Sequence, residues 1–300
     1  MNYSVFIDGK AGTAGLELYD LLKDRDDIKI LEIDEENRKN LAAKVELMKK
    51  ADLTFLCLPD AAAIEAADAA DPGTRIIDTS TAHRTMDDWT YGLPEIGMRK
   101  KIASSNRVAN PGCHATGFIV AARPLVERNI VGADYPFVAT SITGYSGGGK
   151  QMIASYSEDG RDVSLDAPGQ YAVGQMHKHL PEMKKLSGIT GEPVFLPVVS
   201  NYYRGMETIV PVVGGPGVEA ILEMYKDYYA GEELIEVATT DSTIYANELA
   251  GTNRVKIYVH GTDERTIVSV CFDNLGKGAA GAAVQNMNIM LGIDELKGLV

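Results

Sequence analysis

The sequence predicts an α/β protein in which a Rossmann-type doubly wound parallel sheet is joined to an α+β domain built on a mixed or antiparallel sheet. Three observations predict it. Strand-like and helix-like segments alternate from residue 3 to residue 78, as a doubly wound sheet requires. A glycine turn, Gly9-Lys10-Ala11-Gly12-Thr13-Ala14-Gly15, sits between the first apolar run and the first helix. From Pro193 onward β-rich runs follow one another with turns between them. At 300 residues, 45% hydrophobic, the chain is long enough for two cores.

The first element is the strand Tyr3–Asp8, and the glycine turn leads into a helix from Leu16. Its spacing is Gly-x-x-Gly-x-x-Gly, which opens a βαβ unit of the dinucleotide-binding kind without the usual Gly-x-Gly-x-x-Gly. A second strand, Ile28–Ile33, ends at Asp34, near the offset at which an acid meets an adenosine ribose. Arg38 and Lys39 follow and suit a 2′-phosphate instead, or a solvated helix face, so these residues leave the choice between NAD and NADP open. After a charged helix, Leu53–Pro59 is a continuous apolar run that suits a strand buried on both faces, with Cys57 in its core. A crossover helix, 61–70, and a strand, 75–78, complete the alternation.

Residues 78–84 and 91–95 read as loops rich in side chains that bind or titrate, where α/β sheets place ligands. Arg84 is a candidate for a phosphate or carboxylate, because its planar fork matches such groups, and His83 reads as an ordinary surface or supporting histidine. Asn110-Pro111-Gly112-Cys113-His114-Ala115-Thr116 then sets one cysteine between a tight turn and a helix start. Backbone N–H groups and the positive end of a helix dipole stabilise a thiolate there, which makes Cys113 the candidate nucleophile. The commoner fate of such a cysteine is burial as a small hydrophobe. An amphipathic helix is expected over 116–128.

A strand over 137–143 begins the second domain, and Gly144-Tyr145-Ser146-Gly147-Gly148-Gly149-Lys150 follows as a loop able to present N–H groups and an ammonium to a phosphate or a ribose. It lacks the Walker spacing. Gln175-Met176-His177-Lys178-His179-Leu180-Pro181-Glu182 carries a histidine pair that shares a face only if extended. No third and fourth ligand accompany the pair, so no metal is expected, and a base for Cys113 is the better reading. Strands are expected over 194–199, 208–213, 255–259 and 266–272, with a helix over 218–229. Arg204 is a second anion-binding candidate, and the alanine- and glycine-rich helix 278–291 is expected to return to the first domain. The expected division is therefore 1–112 with 277–300, and 113–276.

Composition excludes other classes. A net charge of −13 disfavours nucleic acid and requires local cations for an anionic substrate. No apolar run approaches 18 residues and the N-terminus has no signal-like segment, so a cytoplasmic location is expected. Three widely spaced cysteines fit a reducing compartment.

Six segments occur in one order over nearly the whole chain: 9–15, 91–95, 110–116, 144–150, 177–182 and Asp273-Asn274-Leu275-Gly276-Lys277-Gly278-Ala279-Ala280-Gly281. Together they resemble the N-acetyl-γ-glutamyl-phosphate reductases of the shorter type. The resemblance implies NADPH-dependent reduction of an acyl phosphate to a semialdehyde in arginine biosynthesis, through a thioester on Cys113. It implies the His177/His179 pair as acid/base residues; of the two, His179 is expected to act, because the following Leu-Pro-Glu fixes its loop and Glu182 can orient it, with His177 binding substrate. It also implies a cofactor set of Gly9, Gly12, Thr13, Ala14, Gly15, Arg38, Ser80, Ser146, Gly147, Gly148, Lys150 and Asn274. Arg84, Asn110, Arg204 and Glu182 are the implied substrate set, the second domain is catalytic and oligomerising, and a homodimer or homotetramer is expected. His114 stands where a tyrosine is common, and Lys10-Ala11 also departs from long-type relatives; neither is expected to touch the chemistry. Two rivals stay open. One is a relative acting on aspartyl or aminoadipyl phosphate, and the other is a non-catalytic nucleotide-sensing module.

Overall fold

The computed structural model describes residues 2–300, which divide into two compact units, 2–111 with 279–300, and 112–278. The first opens with β1 (Tyr3–Asp8), α1 (Thr13–Leu22), β2 (Ile28–Leu31), α2 (Leu41–Lys50), β3 (Leu53–Leu56), α3 (Asp60–Ala69) and β4 (Ile76–Asp78). It continues with β5 (Thr90–Tyr91), α4 (Arg99–Ser104) and β6 (Arg107–Ala109). All six strands run parallel, in the order β2-β1-β3-β4-β6-β5. All four residues of β3 are buried, as an uninterrupted apolar run in a parallel sheet predicts.

Two details differ from expectation. β2 stops at Leu31, opposite Phe6, so Asp34 lies beyond the strand in an exposed turn. β5, at the edge of a stretch that reads as loop, and β6 are not expected from the sequence, because strands of two and three residues are too short to show a period.

The glycine turn is built by close approach. Gly9 has φ +85°, and a Cβ on it would stand 2.2 Å from the Cys57 carbonyl oxygen; one on Gly15 would stand 2.5 Å from the Gly9 oxygen. The turn therefore lies against the end of β3, with no room for side chains at either position.

The second unit contains α5 (Cys113–Glu127), β7 (Val138–Gly144), α6 (Gly149–Ser157), β8 (Gly169–Gln170), α7 (Leu180–Ser187), β9 (Val194–Ser200) and β10 (Met206–Val213). It ends with α8 (Val218–Tyr228), β11 (Ile235–Ala238), β12 (Val255–Thr262) and β13 (Arg265–Phe272). The seven strands form one mixed sheet, β11-β12-β13-β10-β7-β9-β8, in which only β7/β9 and β11/β12 pair in parallel.

Helix α5 begins at Cys113, three residues earlier than expected, and is buried on nearly every side instead of being amphipathic. It packs on β10 and β13 and against α7 and α8, so little of its surface is left for water. At Gly117 a Cβ would stand 2.3 Å from Thr208 Oγ1, which measures how closely α5 lies on β10. The glycine run that reads as a loop is instead a 3₁₀ turn, Tyr145–Gly148, leading into α6.

The chain finally returns to the first unit as α9 (Gly281–Leu291), which packs on α1 and α4. The Arg25 guanidinium ties this return down. It donates to Asp27, to Asn288 Oδ1 at 2.9 Å and to the Lys297 carbonyl at 3.0 Å. The Arg25 guanidinium, helped by the Lys297 ammonium, holds the Asp27 carboxyl at about 2, well below its ordinary value.

Candidate active site

Cys113 is the first residue of α5. The preceding Gly112 is extended (φ −79°, ψ 145°) and no side chain caps the helix start, so the turn is made without a left-handed residue. A thiol at this position faces the helix's unbonded N–H groups and the positive end of its dipole. The other two thiols are unsuited to nucleophilic work. Burial pushes Cys57 up to about 12 and Cys271 higher still, so both stay protonated at neutral pH. Gly278 backs Cys113: a Cβ there would stand 2.9 Å from the Cys113 Cβ and 3.1 Å from the Asp273 carbonyl oxygen.

Around this helix start the second unit assembles three more elements. Buried Glu182, on the first turn of α7, accepts the Gly112 N–H through Oε2 at 3.2 Å. Its Oε1 lies 4.0 Å from His179 Nε2, an ionic contact beyond hydrogen-bonding distance. His179 is buried at the N-terminus of α7, and His177 is half-buried at the start of the turn that leads into it, their rings edge to face with centroids 4.7 Å apart. The His179 N–H donates to His177 Nδ1 at 3.1 Å. That bond requires a lone pair on Nδ1, so His177 carries its proton on Nε2 and is held neutral while the bond lasts.

His114 lies at the centre of the cluster, its ring within 5.3 to 5.8 Å of those of His177, His179 and Phe195. Its Nδ1 is 2.7 Å from Ser141 Oγ and its Nε2 is 2.5 Å from the Tyr171 hydroxyl. Nothing in the pattern of the sequence singles out Ser141, Tyr171, Thr208 or Gly278. Ser141 and Thr208 read as strand residues, and Tyr171 falls in a stretch without periodicity.

A second cluster in the same unit gathers Ser146, Asn274 and Arg204. Asn274 Nδ2 donates to Ser146 Oγ at 2.8 Å, and its Oδ1 accepts the Gly205 N–H at 2.8 Å. Arg204 grips buried Asp273 with Nε and Nη2 at 2.5 and 2.9 Å, and Asp273 also accepts the N–H groups of Gly251, Leu275 and Gly276. The arginine thus holds a loop junction. Gly147, Gly148 and Lys150 lie at the exposed start of α6.

In the first unit, Ser80, Arg84 and Asn110 collect at the ends of β4 and β6. Asp78 accepts the Ser80 N–H and hydroxyl, and lies 2.6 Å from His83 Nδ1. His83 is therefore a buried partner of Asp78, stacked on Trp89 with ring centroids 3.9 Å apart, and not a surface residue. Buried Arg84 donates to the carbonyls of Asn110 and Thr79 at 2.9 and 3.0 Å, while Asn110 donates to the Ala279 carbonyl and accepts from Asn286.

The residues after β1 fit a dinucleotide. Gly12 caps α1 without a side-chain bond, and the nearest atom to a Cβ built on it is 3.4 Å away, so the backbone there is open to a phosphate as it is not at Gly9 or Gly15. Arg38 is exposed and paired with Glu35 at 2.9 Å.

The comparisons agree with this architecture. Residues 4–105 match the family described as semialdehyde dehydrogenase, NAD binding domain, and residues 113–274 that described as semialdehyde dehydrogenase, dimerisation domain. Among solved structures, aspartate semialdehyde dehydrogenase II from Vibrio cholerae superposes with a TM-score of 0.72 at 18% identity, covering 97% of this chain and 99% of that one. The Candida albicans aspartate semialdehyde dehydrogenase with NADP gives 0.67 at 15% identity, with 97% and 99% covered. Both likenesses concern the fold. In sequence, an N-acetyl-gamma-glutamyl-phosphate reductase from Brucella anthropi is 41% identical, covering 97% of this chain and 99% of its own. N-acetyl-gamma-glutamyl-phosphate reductase 2 from Nostoc sp. is 40% identical, with 98% of each covered. With this identity over almost its whole length, and both family matches in their expected order, the chain belongs to the semialdehyde dehydrogenase family, among the N-acetyl-gamma-glutamyl-phosphate reductases.

Proposed function

We propose that the chain reduces N-acetyl-γ-glutamyl phosphate to N-acetylglutamate 5-semialdehyde and phosphate with NADPH, as a cytoplasmic step of arginine biosynthesis. The observation that carries this reading is Cys113 on the uncapped first turn of α5, within a cluster that includes buried His179 and Glu182. Relatives named for this reaction supply the substrate.

Each residue has a chemical task. The Cys113 thiolate attacks the acyl carbon, the bond from that carbon to the phosphate oxygen breaks, and phosphate leaves with the electron pair. Backbone N–H groups at the start of α5 receive the charge on the carbonyl oxygen. NADPH, when bound, supplies the hydride that takes the thioester to the aldehyde level. His179 protonates the oxygen of the thiohemiacetal and takes that proton back as the carbon–sulfur bond breaks and the thiolate returns. Its nearness to Glu182 supports this role, since the carboxylate balances an imidazolium, whereas the bond to His177 Nδ1 opposes protonation of His177 there. His177 is read as a substrate-binding residue.

The remaining assignments follow. Gly9, Gly12, Thr13, Ala14 and Gly15 form the pyrophosphate cradle, and Arg38 receives the 2′-phosphate in exchange for Glu35. Ser80, Ser146, Gly147, Gly148, Lys150 and Asn274 complete the cofactor set, Asn274 acting through its bond to Ser146. Arg84 and Asn110 serve the substrate, and Arg204 serves the loop that Asp273 organises.

The oligomer is read from the mixed sheet. Thr208 and Phe272 lie beneath Gly117 of α5, so by alternation Ile142, Leu196, Val198, Ile209, Pro211 and Ile267 point to the other face. These apolar side chains are only half-buried. A second copy of the chain packed on this face would cover them, and the match to a dimerisation domain favours that occupant.

The test is the reverse reaction. Phosphate-dependent reduction of NADP is expected with N-acetylglutamate semialdehyde, slower turnover with aspartate semialdehyde, and none in Cys113→Ser although that variant still binds NADPH. A faster reaction with aspartate semialdehyde would overturn the substrate, and turnover by Cys113→Ser the mechanism.

A further inference from the structure

We propose that His114 is a positioning residue, which through a buried hydrogen-bond chain, Thr208–Ser141–His114–Tyr171, holds the Tyr171 hydroxyl as a donor toward the Cys113 thiolate. The inference rests on Cys113 being the reacting thiol.

Four residues distant in sequence make the chain. Thr208 on β10 lies 3.0 Å from Ser141 on β7, Ser141 lies 2.7 Å from His114 Nδ1, and His114 Nε2 lies 2.5 Å from the Tyr171 hydroxyl. Thr208, Ser141 and His114 are buried, and His114 follows Cys113 directly on the first turn of α5. Burial above all, with the Lys178 charge adding to it, pushes His114 down to about 3, so its ring is neutral at any working pH. It is therefore not the acid/base group, although it touches both candidates for that role.

A neutral imidazole has one N–H and one lone pair, so the chain runs in one of two senses. Either Tyr171 donates to Nε2 and Nδ1–H donates to Ser141, or Ser141 donates to Nδ1 and Nε2–H donates to the Tyr171 oxygen. Only the second leaves the Tyr171 proton to donate onward. A thiolate at the head of α5 selects it, because every link then points its positive end along the chain toward the anion, and aligned bonds polarise one another. Electrostatics agree: burial raises the Tyr171 hydroxyl and the Cys113 charge raises it further, so Tyr171 acts as a neutral donor. No proton changes owner; the chain fixes direction only. On this proposal the histidine after Cys113 bears on the chemistry, where the sequence reading expects no effect.

The readout is the thiol itself, measured by alkylation without substrate. The rate of Cys113 carboxamidomethylation by iodoacetamide, followed by mass spectrometry of the Cys113 peptide, gives the thiol pKa as a function of pH. Removing one hydrogen bond to a charged group is expected to raise that pKa by about one unit in Tyr171→Phe, a roughly tenfold slower alkylation below it. His114→Phe is expected to match Tyr171→Phe, and the double variant to go no further, since both cut the same chain. Should His114→Phe fail to fold, Ser141→Ala tests the same chain upstream and is expected to shift the profile in the same direction. A wild-type profile in folded Tyr171→Phe, or additive shifts in the double variant, would overturn the proposal. Failure of the underlying reading looks different: turnover would then persist in Cys113→Ser.

Discussion

A thiol becomes a nucleophile by losing its proton cheaply, and the three cysteines of this chain separate on that basis. Cys57 and Cys271 are held protonated by burial, while Cys113 stands at the positive end of α5. The same physics divides the histidines. His177 Nδ1 accepts a backbone N–H and His114 is neutralised by burial, which leaves His179, beside Glu182, as the ring best able to hold a transferable proton. His179→Ala is therefore expected to slow single-turnover hydride transfer at least 100-fold, the range for loss of a general acid, while His177→Ala mainly raises KM. Rapid-quench and stopped-flow measurements of thioester formation and NADPH oxidation distinguish the two, and near wild-type rates in both steps for His179→Ala would remove it from the role. Cys113 and the histidine pair are legible in the sequence because their chemistry is written in side-chain type. The bond that ties up His177 is not, because it depends on the backbone of the next turn.

Helix α5 shows how packing overrides a sequence pattern. Its residues suggest a half-exposed amphipathic helix, yet β10, β13, α7 and α8 enclose it. That enclosure gives Cys113, the proposed nucleophile, a rigid platform, since a helix held on several sides cannot rock. Gly117→Ala tests the fit: its Cβ would overlap Thr208 Oγ1, and overpacking of this kind costs about 1–3 kcal/mol, read as a lower urea midpoint at unchanged m-value. Because the overlap is with a member of the Thr208–Ser141–His114–Tyr171 chain, the Cys113 alkylation profile is expected to shift as well. The glycine run 144–150 gives the opposite lesson to α5. Its composition suggests a loose loop, but the backbone closes into a 3₁₀ turn and the first turn of α6 once Ser146 is bonded to Asn274. Short strands such as β5 and β6 escaped the pattern for a simpler reason, because two or three residues carry no period.

Across each unit, the parallel sheet and the mixed sheet meet the demands of burial differently. β3, with all four residues buried, reads as an unbroken apolar run, whereas in the mixed sheet β10 alternates from Thr208 to Val212 between residues under α5 and the half-buried Ile209 and Pro211 on the other face. Ile209→Lys on that face is expected to convert the oligomer to a monomer of about half or a quarter of the mass by sedimentation at micromolar concentration, with helix content unchanged. An unchanged sedimentation coefficient would show that another surface holds the copies together. The doubly wound topology, the glycine turn and the position of a lone thiol at a helix start were determined by the sequence alone, since periodicity, glycine spacing and side-chain type are local properties of the chain. The burial of α5, the buried Asp78–His83 pair, the Arg204–Asp273 junction and the chain from Thr208 to Tyr171 were decided by the tertiary structure. Each joins residues whose separation in sequence carries no period, or depends on how much water the surrounding elements exclude.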